Sequence, residues 1–326
     1  MKRLILTAAL AAGLATGASA EGPSGKLVLY TSQPNADAQQ TVDAFKAKYP
    51  DVEVDWFRDG TTKVMAKLAA EFEAGNPQPD VLLIADNVTM EGLEAEGRLM
   101  AYPEADVSAY DPAVMDPQHH YFSTKLITTG IMYNTNAPMV PTSYKDLLKP
   151  EARGMIAMPS PLTSGAATIH MAALTSNPDL GWALYEGLAE QGANPQGGNG
   201  GVYKAVAGGE KLYGFVVDFL PIREQVKGAP VAFVFPTEGV SVVTEPVAIL
   251  STARNTDAAK AFVDFLISED GQKLAADMGY LPAHPGVPAP DGFPSRDQIK
   301  LIAFDPARAL AEDQENKEKF LDIFGG

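Results

Sequence analysis

The sequence predicts an α/β protein of two lobes, joined by hinge strands, with a central cleft between them. Three observations lead to this fold class. The 326-residue chain is long enough for two domains. Its first part alternates short apolar runs with amphipathic segments, and two later apolar runs bracket a middle section with strands and helices of its own. A chain that leaves one lobe, builds a second and returns creates a cleft, which is a common position for a ligand.

The first lobe begins with a βαβαβ pattern. Residues 26–30 form a short apolar run, and residues 37–49 place apolar side chains at helical spacing. Residues 52–57 alternate as a half-buried strand does, and residues 62–75 form an amphipathic helix that ends at a glycine. Residues 80–84 form the continuous apolar run typical of a strand covered on both faces. We therefore expect a mostly parallel sheet whose ligand lies beyond the carboxyl ends of the strands.

The second lobe is predicted between two apolar runs, residues 127–133 and 242–249, which we interpret as paired crossovers between the lobes. Between them we expect strands at residues 154–158 and 213–217 and a helix at residues 166–174.

Helices are predicted again after the second crossover. They cover residues 257–267 and 270–278, and a Pro- and Gly-rich surface connection at residues 282–297 leads to a terminal helix near residues 306–322. The predicted first lobe comprises residues 21–127 and about 247–285, and the predicted second lobe comprises residues 128–246 and about 286–326, including the C-terminal helix.

The amino terminus has the pattern of a secretory signal peptide. Two basic residues precede an uncharged apolar stretch at residues 4–14, and residues 18–20 form a small-residue cleavage site. The apolar stretch is about half of the ~20 residues that cross a bilayer. We therefore expect cleavage after Ala20 and a periplasmic protein without a lipid anchor.

Composition excludes several kinds of partner and chemistry. The chain has 25 Lys and Arg against 41 Asp and Glu, a net charge of −16, so it offers no cationic surface for nucleic acid or anionic lipid. It has no cysteine, which excludes disulfides, thiolate metal sites and cysteine nucleophiles. A small ligand and a monomeric protein are the expectation.

Enzyme signatures are missing from the sequence. It contains no G-x-x-x-x-G-K-[ST] phosphate loop, no H-E-x-x-H zinc motif and no G-x-S-x-G nucleophile elbow. The glycine-rich residues 197–201 match a phosphate loop by glycine count alone, and a flexible turn explains them equally well. The four histidines have no metal-ligand spacing on one helix face, so we interpret them as exposed or capping and expect no metal and no cofactor; they are His119, His120, His170 and His284.

Hydroxyl- and amide-rich loops, each placed after a predicted strand and before a predicted helix, are the main candidates for ligand binding. A helix start offers unpaired backbone N–H groups and the positive end of the helix dipole, and several starts that face one cleft would hold an oxyanion. Plain N-capping is the alternative, because the same residue types cap helices in any protein. The candidates are Ser32, Gln33, Thr61, Asp86, Thr163, Ser164, Gly165 and Ala166.

Carboxylates and aromatic residues give a second group of candidates. Asp218 ends a predicted strand and could accept hydrogen bonds from an ammonium group or sugar hydroxyls, could ligate a metal ion, or could equally be structural. Glu238 lies in a turn and Glu245 in the second crossover, where solvated or hinge roles are favoured. Tyr203 is an aromatic candidate ligand contact, with core packing as its default interpretation.

Five segments, in their order and spacing, resemble the periplasmic substrate-binding proteins of bacterial ABC importers, in the subgroup of ferric-iron and organophosphorus binders. The resemblance spans nearly the whole mature chain and implies the type II periplasmic-binding-protein fold, closure around one solute, delivery to a membrane permease and no catalysis. The segments are KLVLYTSQ (26–33), PDVLLIAD (79–86), TTGIMYNTN (128–136), PTSYKDLLKPEARGMIAMPSP (141–161) and EPVAILSTARNTDAAKAFVDFLISEDGQ (245–272).

The subgroup suggests the kind of ligand. Ferric-iron relatives present adjacent tyrosines in the second lobe, where this chain has only the isolated Tyr203 and Tyr213. Organophosphorus relatives pair a Thr-Ser-Gly loop with a carboxylate. The resemblance therefore implies a small phosphorylated or phosphonate organic solute, such as 2-aminoethylphosphonate or a sugar phosphate. Its oxyanion would bind to Ser32, Thr61, Thr163, Ser164 and Gly165, and its other end to Asp218.

Three alternatives stay open at this point. A ferric-iron protein of the same fold would use Tyr133, Tyr203 or Tyr280 with a synergistic anion. A thiamine or polyamine binder would need an aromatic sandwich, and an exported hydrolase would need a nucleophile–base pair that the sequence does not reveal.

Overall fold

The computed structural model describes residues 22–325. These residues contain twelve strands and ten α-helices, joined by loops and short 3-10 helices. The strands are β1 (Gly25–Thr31), β2 (Val52–Arg58), β3 (Val81–Leu83), β4 (Tyr121–Phe122), β5 (Lys125–Asn134), β6 (Ile156–Met158), β7 (Asn194–Pro195), β8 (Tyr213–Val217), β9 (Val231–Val234), β10 (Ser241–Val243), β11 (Val247–Ile249) and β12 (Leu281–Pro282). The helices are α1 (Asn35–Lys48), α2 (Thr61–Glu73), α3 (Asn87–Ala95), α4 (Gly165–Ser176), α5 (Gly181–Glu190), α6 (Asn199–Ala207), α7 (Phe219–Val226), α8 (Thr256–Ile267), α9 (Glu269–Asp277) and α10 (Pro306–Phe324). The predicted signal peptide lies outside the described residues.

The strands form two separate sheets. The first has the strand order β2-β1-β3-β11-β4, with parallel β1–β2 and β1–β3 pairs as predicted. The second has the order β10-β5-β8-β6-β7, and β9 and β12 also pair with β5. We call the first sheet with α1, α2, α3 and α8 the first lobe, and the second sheet with α4 to α7 the second lobe.

The chain passes between the sheets at two short, adjacent segments. Residues 123–124 lead from β4 to β5, and residues 244–246 lead from β10 to β11. The predicted crossover at residues 127–133 therefore lies within β5, a buried strand of the second sheet, and the crossing itself comes just before it. A third passage, through α8 and α9 to β12, places residues 281–282 in the second sheet, whereas the predicted first lobe extends to about residue 285.

Apolar side chains cover both faces of each sheet. In the first lobe, Leu29 packs with Phe45 of α1 and Phe262 of α8 on one face, while Leu82 packs with Leu68 of α2 on the other. Two further clusters enclose the second sheet in the same way. Because the strands are covered on both faces, their sequences are continuous apolar runs. Within residues 22–325 no helix combines the length and the apolar character that a membrane span requires.

The C-terminal helix α10 packs against both lobes. It contacts α3 of the first lobe and α4 and α5 of the second. Its Phe320 is buried against Tyr185 of α5, and Leu310 lies beside Gly92 of α3. The helix therefore spans the junction of the two lobes.

His170 differs from its sequence interpretation as an exposed or capping residue. Its side chain is buried in the second lobe, with Nδ1 2.9 Å from Ser241 Oγ and the ring against Tyr144 and Phe215. Burial lowers the pKa of His170 to about 3, because the imidazolium would lose its hydration there.

We predict that this histidine weakens the fold in acid. Because its folded pKa lies below the unfolded value of about 6.5, the unfolded chain binds the extra proton between the two values, and stability falls as the pH drops through that window. Between about pH 6 and pH 4, the free energy of unfolding of the wild type should fall by up to ~1.4 kcal/mol per pH unit more than that of His170→Phe. Urea unfolding of both proteins across this range measures the difference, and parallel pH profiles would contradict the prediction.

Candidate functional site

A cavity of about 470 Å³ lies where the two lobes meet. It is formed by loops at the carboxyl ends of strands in both sheets and by the segments that connect the sheets, which is the position that open α/β sheets favour for ligands. The lining residues of the first lobe are Ser32, Pro34, Arg58, Asp59, Gly60, Thr61, Lys63 and Ala85. Those of the second lobe and the connecting segments are Ile127, Thr163, Ser164, Ala166, Gly197, Gly198, Asn199, Gly200, Gly201, Val217, Phe219, Leu220, Val243 and Glu245.

Four helices of the described chain begin at this cavity: α2 from the first lobe, and α4, α6 and α7 from the second. The first turn of a helix leaves backbone N–H groups without intrahelical partners and carries the positive end of the dipole. Gly60 and Gly198 precede α2 and α6, and neither start has a side-chain cap. These two helix starts therefore offer their N–H groups to a bound anion.

Five of the predicted ligand residues line the cavity. Hydrogen bonds fix three of their side chains: Ser32 Oγ accepts from Ala85 N at 2.9 Å, and Thr163 Oγ1 donates to Gly197 O at 2.6 Å. Ser164 Oγ caps α4 by accepting from Ala167 N at 3.4 Å. The five are Ser32, Thr61, Thr163, Ser164 and Ala166.

Gly165 and Asp86 touch each other instead of lining the cavity. Asp86 caps α3 by accepting from Thr89 N at 2.7 Å, and burial raises its pKa. A Cβ at Gly165 would overlap the Asp86 carboxylate, and a Cβ at Gly60 would lie 2.9 Å from Thr163 O. The lobes are thus in contact at the cavity rim, and glycine is needed at both positions for that approach.

Asp218 has a structural role that the sequence analysis left as one of two alternatives. Its side chain is 1% exposed and does not line the cavity. Oδ2 accepts from Thr128 N at 2.9 Å and from Thr128 Oγ1 at 2.6 Å, while Oδ1 caps α7 through Phe219 N at 2.7 Å. Burial raises the pKa of Asp218 to about 7, against the effect of these hydrogen bonds. In this conformation the carboxylate joins β5 to α7 and does not line the cavity.

The remaining candidates also lie away from the cavity. Tyr203 packs on the apolar core of the second sheet, and Glu238 accepts a hydrogen bond from Ser143 Oγ. Gln33 is fully buried behind the cavity, where its Nε2 donates to Glu245 Oε2 at 3.2 Å. Neither Tyr203 nor Glu238 lines the cavity, because Tyr203 packs on the apolar core and Glu238 lies in a turn that contacts Ser143.

Glu245 lines the cavity from the segment that connects the sheets. Its backbone has a φ of +38°, and its side chain forms a 2.5 Å ion pair with Lys125, with both side chains 3% exposed. Thr124 Oγ1 donates to Glu245 O at 2.7 Å and joins the two connecting segments. The hinge role favoured for Glu245 from the sequence agrees with this position.

Sequence reasoning missed two cationic residues and one amide. Arg58, the last residue of β2, donates from Nε to Gln33 O at 2.6 Å and lines the cavity, as does Lys63 in the first turn of α2. Asn199 donates to Ser164 Oγ at 3.2 Å and accepts from Val217 N at 3.1 Å. Arg58 could have been found, because it lies at the same carboxyl edge as Ser32; Asn199 could have been found by placing residues 199–201 in the first turn of α6.

Comparison with known proteins places the chain in a family. The sequence pattern of the family described as bacterial extracellular solute-binding protein matches residues 27–281. An uncharacterised protein of Haemophilus influenzae is 31% identical over 341 residues, covering 95% of this chain and 93% of that protein.

Solved structures of periplasmic binding proteins share the fold. The protein AfuA of Actinobacillus pleuropneumoniae, solved with exogenous fructose-6-phosphate bound, is 25% identical with a TM-score of 0.83, covering 92% of this chain and 98% of that one. Iron-bound HitA of Pseudomonas aeruginosa is 23% identical with a TM-score of 0.78, covering 91% and 99%. The resemblance to the solute-binding proteins of ABC importers and the two-lobed type II fold are confirmed. The chain belongs to the family of bacterial extracellular solute-binding proteins.

Proposed function

We propose that this chain is the periplasmic solute-binding component of an ABC importer and that it holds a small organic solute by its phosphate or phosphonate group. The lobes close on the solute, the closed form docks on a membrane permease, and the solute leaves unchanged. The observation that carries the proposal is the convergence of helix starts from both lobes on one cavity.

The polar half of the cavity has the chemistry of an oxyanion site. The first turns of α2 and α6 supply backbone N–H donors, Thr61 and Ser164 supply hydroxyls, and Arg58 supplies a guanidinium group that suits phosphate geometry. Because the donors come from both lobes, an anion between them stabilises the closed state over the open one. The net charge of −16 does not oppose this, since exposed charges are screened within ~8 Å at physiological ionic strength.

The rest of the cavity favours a sugar phosphate over 2-aminoethylphosphonate. An ammonium group needs a free carboxylate, and Asp218 lies outside the cavity. Of the lining acids, Asp59 accepts from Gly60 N at 2.8 Å and lies 3.6 Å from Lys63 Nζ, while Glu245 is paired with Lys125. Fructose-6-phosphate bound to AfuA, a relative 25% identical to this chain, supports the same ligand class.

Ferric iron is the second candidate, because iron-bound HitA has the same fold. Within the described residues, however, no tyrosine lines the cavity. Tyr280 is buried with its hydroxyl on Asp37, Tyr203 packs in the core, and Tyr133 lies in β5. The cavity therefore lacks the phenolate ligands that an iron site of the expected kind would use.

The other two alternatives have less support. Among the described lining residues Phe219 is the only aromatic one, so no sandwich for a thiamine ring or a polyamine is present. The described lining residues also include no histidine, so they offer no imidazole base for a hydrolase.

We predict that sugar phosphates stabilise the purified mature protein. A ligand at 100 times its Kd adds ~2.7 kcal/mol to the free energy of unfolding, which should raise the Tm by several degrees. A thermal-shift screen followed by calorimetry should compare fructose-6-phosphate, 2-aminoethylphosphonate, inorganic phosphate, spermidine and ferric citrate. No response to any phosphorus compound, with a response to ferric citrate or spermidine, would contradict the proposal.

Removal of the Arg58 charge should weaken binding. Arg58→Met keeps most of the side-chain volume and removes the guanidinium group, so the Kd for the sugar phosphate should rise ~10- to 100-fold, the loss expected for a charge-assisted hydrogen bond. Lys46→Met makes the same change of charge at an exposed position of α1 and should leave the Kd unchanged. Calorimetric titration measures both, and equal affinities would show that Arg58 makes no ligand contact.

Closure depends on Gly165. Gly165→Ala places a methyl group against Asp86, so the lobes should fail to close fully and the Kd should rise at least ~10-fold, while the unliganded protein unfolds at nearly the same urea concentration. Gly92→Ala is the matched control, because its new Cβ meets Leu310 at an ordinary 3.8 Å. Wild-type affinity in Gly165→Ala would exclude this contact from the closing step.

A further inference from the structure

A second group of ligating side chains lies in the first lobe, apart from the cavity. Glu94 is in α3, and Asp116 and His120 are in the segment before β4; none of the three lines the cavity. One ligand atom from each of them lies within 4.8 Å of the others. Their side chains are only 20%, 1% and 25% exposed, respectively, so this is not a solvated surface cluster.

The distances suit a small metal ion. Nδ1 of His120 lies 3.0 Å from Oε1 of Glu94 and 3.7 Å from Oδ2 of Asp116. Ligand atoms bound tetrahedrally to zinc at ~2.0–2.1 Å are ~3.3 Å apart. The two observed separations fall on either side of that value, and the three ligand atoms lie within 4.8 Å of one another.

The imidazole nitrogen at the centre of the group has no hydrogen-bond partner. His120 Nδ1 is inaccessible to solvent and makes no hydrogen bond, although the Glu94 oxygen is 3.0 Å away, because the contact lacks hydrogen-bonding geometry. A buried polar atom left in this way is unfavourable, because it has lost its hydration without gaining a partner. A cation placed between the nitrogen and the carboxylates would satisfy all three groups.

Negative charge accumulates around this nitrogen. The carboxylates of Glu94 and Asp116 lie beside it, and Glu91 is one turn before Glu94 in α3. Glu91 itself accepts a 2.5 Å hydrogen bond from the Tyr121 hydroxyl. Nearby acids and little solvent make a bound divalent ion favourable, since it neutralises carboxylates that would otherwise repel each other.

The backbone holds two of the ligands in place before any ion binds. Asp116 Oδ2 accepts from His120 N at 2.6 Å, and Oδ1 accepts from Gln118 N at 3.0 Å. The Asp116 carboxylate and the His120 ring are therefore fixed on one tight turn, while Glu94 approaches from α3. An ion here would join the end of α3 to the segment that leads into β4.

We propose that Glu94, Asp116 and His120 form a binding site for a divalent metal ion of the zinc class. One imidazole nitrogen with two carboxylates matches the ligand preferences of Zn²⁺, whereas Ca²⁺ and Mg²⁺ prefer oxygen ligands alone. Three protein ligands leave a coordination position for water. The site stabilises the first lobe and is independent of the ligand in the cavity.

The test uses the mature protein, stripped with EDTA and titrated with ZnCl₂ by calorimetry. We expect one Zn²⁺ per chain with a Kd below 100 μM, a rise in Tm, and visible absorption typical of tetrahedral coordination when Co²⁺ replaces Zn²⁺. Ca²⁺ and Mg²⁺ should bind at least tenfold more weakly. Failure of Zn²⁺ to bind stoichiometrically, or equal binding of Ca²⁺, would overturn the proposal.

Variants assign the site to these residues. Glu94→Gln and His120→Gln each replace a good zinc ligand with a weak one and leave the Asp116 turn intact. Both variants should therefore fold, and the Kd for Zn²⁺ should rise more than tenfold in each. His284→Gln, which removes another histidine that lies outside the group, should bind Zn²⁺ as the wild type does. Unchanged binding in the first two variants, or an equal loss in His284→Gln, would show that the ion binds elsewhere.

Discussion

The buried junction between the two sheets is the constraint on which the rest of the molecule depends. Residues 123–124 and 244–246 run side by side there, joined by Thr124, and the Lys125–Glu245 ion pair closes the junction with both side chains 3% exposed. Burying two charges is costly unless their geometry and hydrogen bonds compensate, and Gln33 of the first lobe supplies one such bond. Removal of either partner would leave an unpaired charge in the interior. The ion pair and its hydrogen bonds therefore hold the two lobes together at the junction.

This junction determines what the cavity can do. Because the carboxyl ends of strands from both sheets face the same space, α2, α4, α6 and α7 all begin there, and their dipoles add. Donors for an anion come from the main chain of α2 and α6, and at Gly60 the absence of a side chain lets the second lobe approach closely. The same closeness explains the contact of Gly165 with Asp86, which brings the rim of one lobe onto the other. Anion binding and closure thus take place side by side, at the cavity and at its rim.

Much of this arrangement could be predicted from the sequence because it depends on local chemistry. Helix starts at Thr61 and Gly165 follow from capping residues and glycines, and long helices such as α8 follow from their apolar periodicity. The short helix α7 was not predicted: it has eight residues, and Pro221 interrupts the usual signals. The two alternatives for Asp218 could not be separated, since a carboxylate that caps a helix and one that binds a ligand have the same local sequence. The grouping of Glu94 with His120 depends on tertiary packing across 26 positions and leaves no spacing signal.

The double contact of α10 has a practical consequence. Phe320 packs on Tyr185 of the second lobe and Leu310 lies beside Gly92 of the first lobe, so separation of the lobes must break the contact at one end of the helix. The chain has no cysteine, and Leu310 is 40% exposed. A thiol introduced by Leu310→Cys would therefore be the single attachment point for an environment-sensitive dye, and the labelled protein would serve as an optical sensor of its own solute.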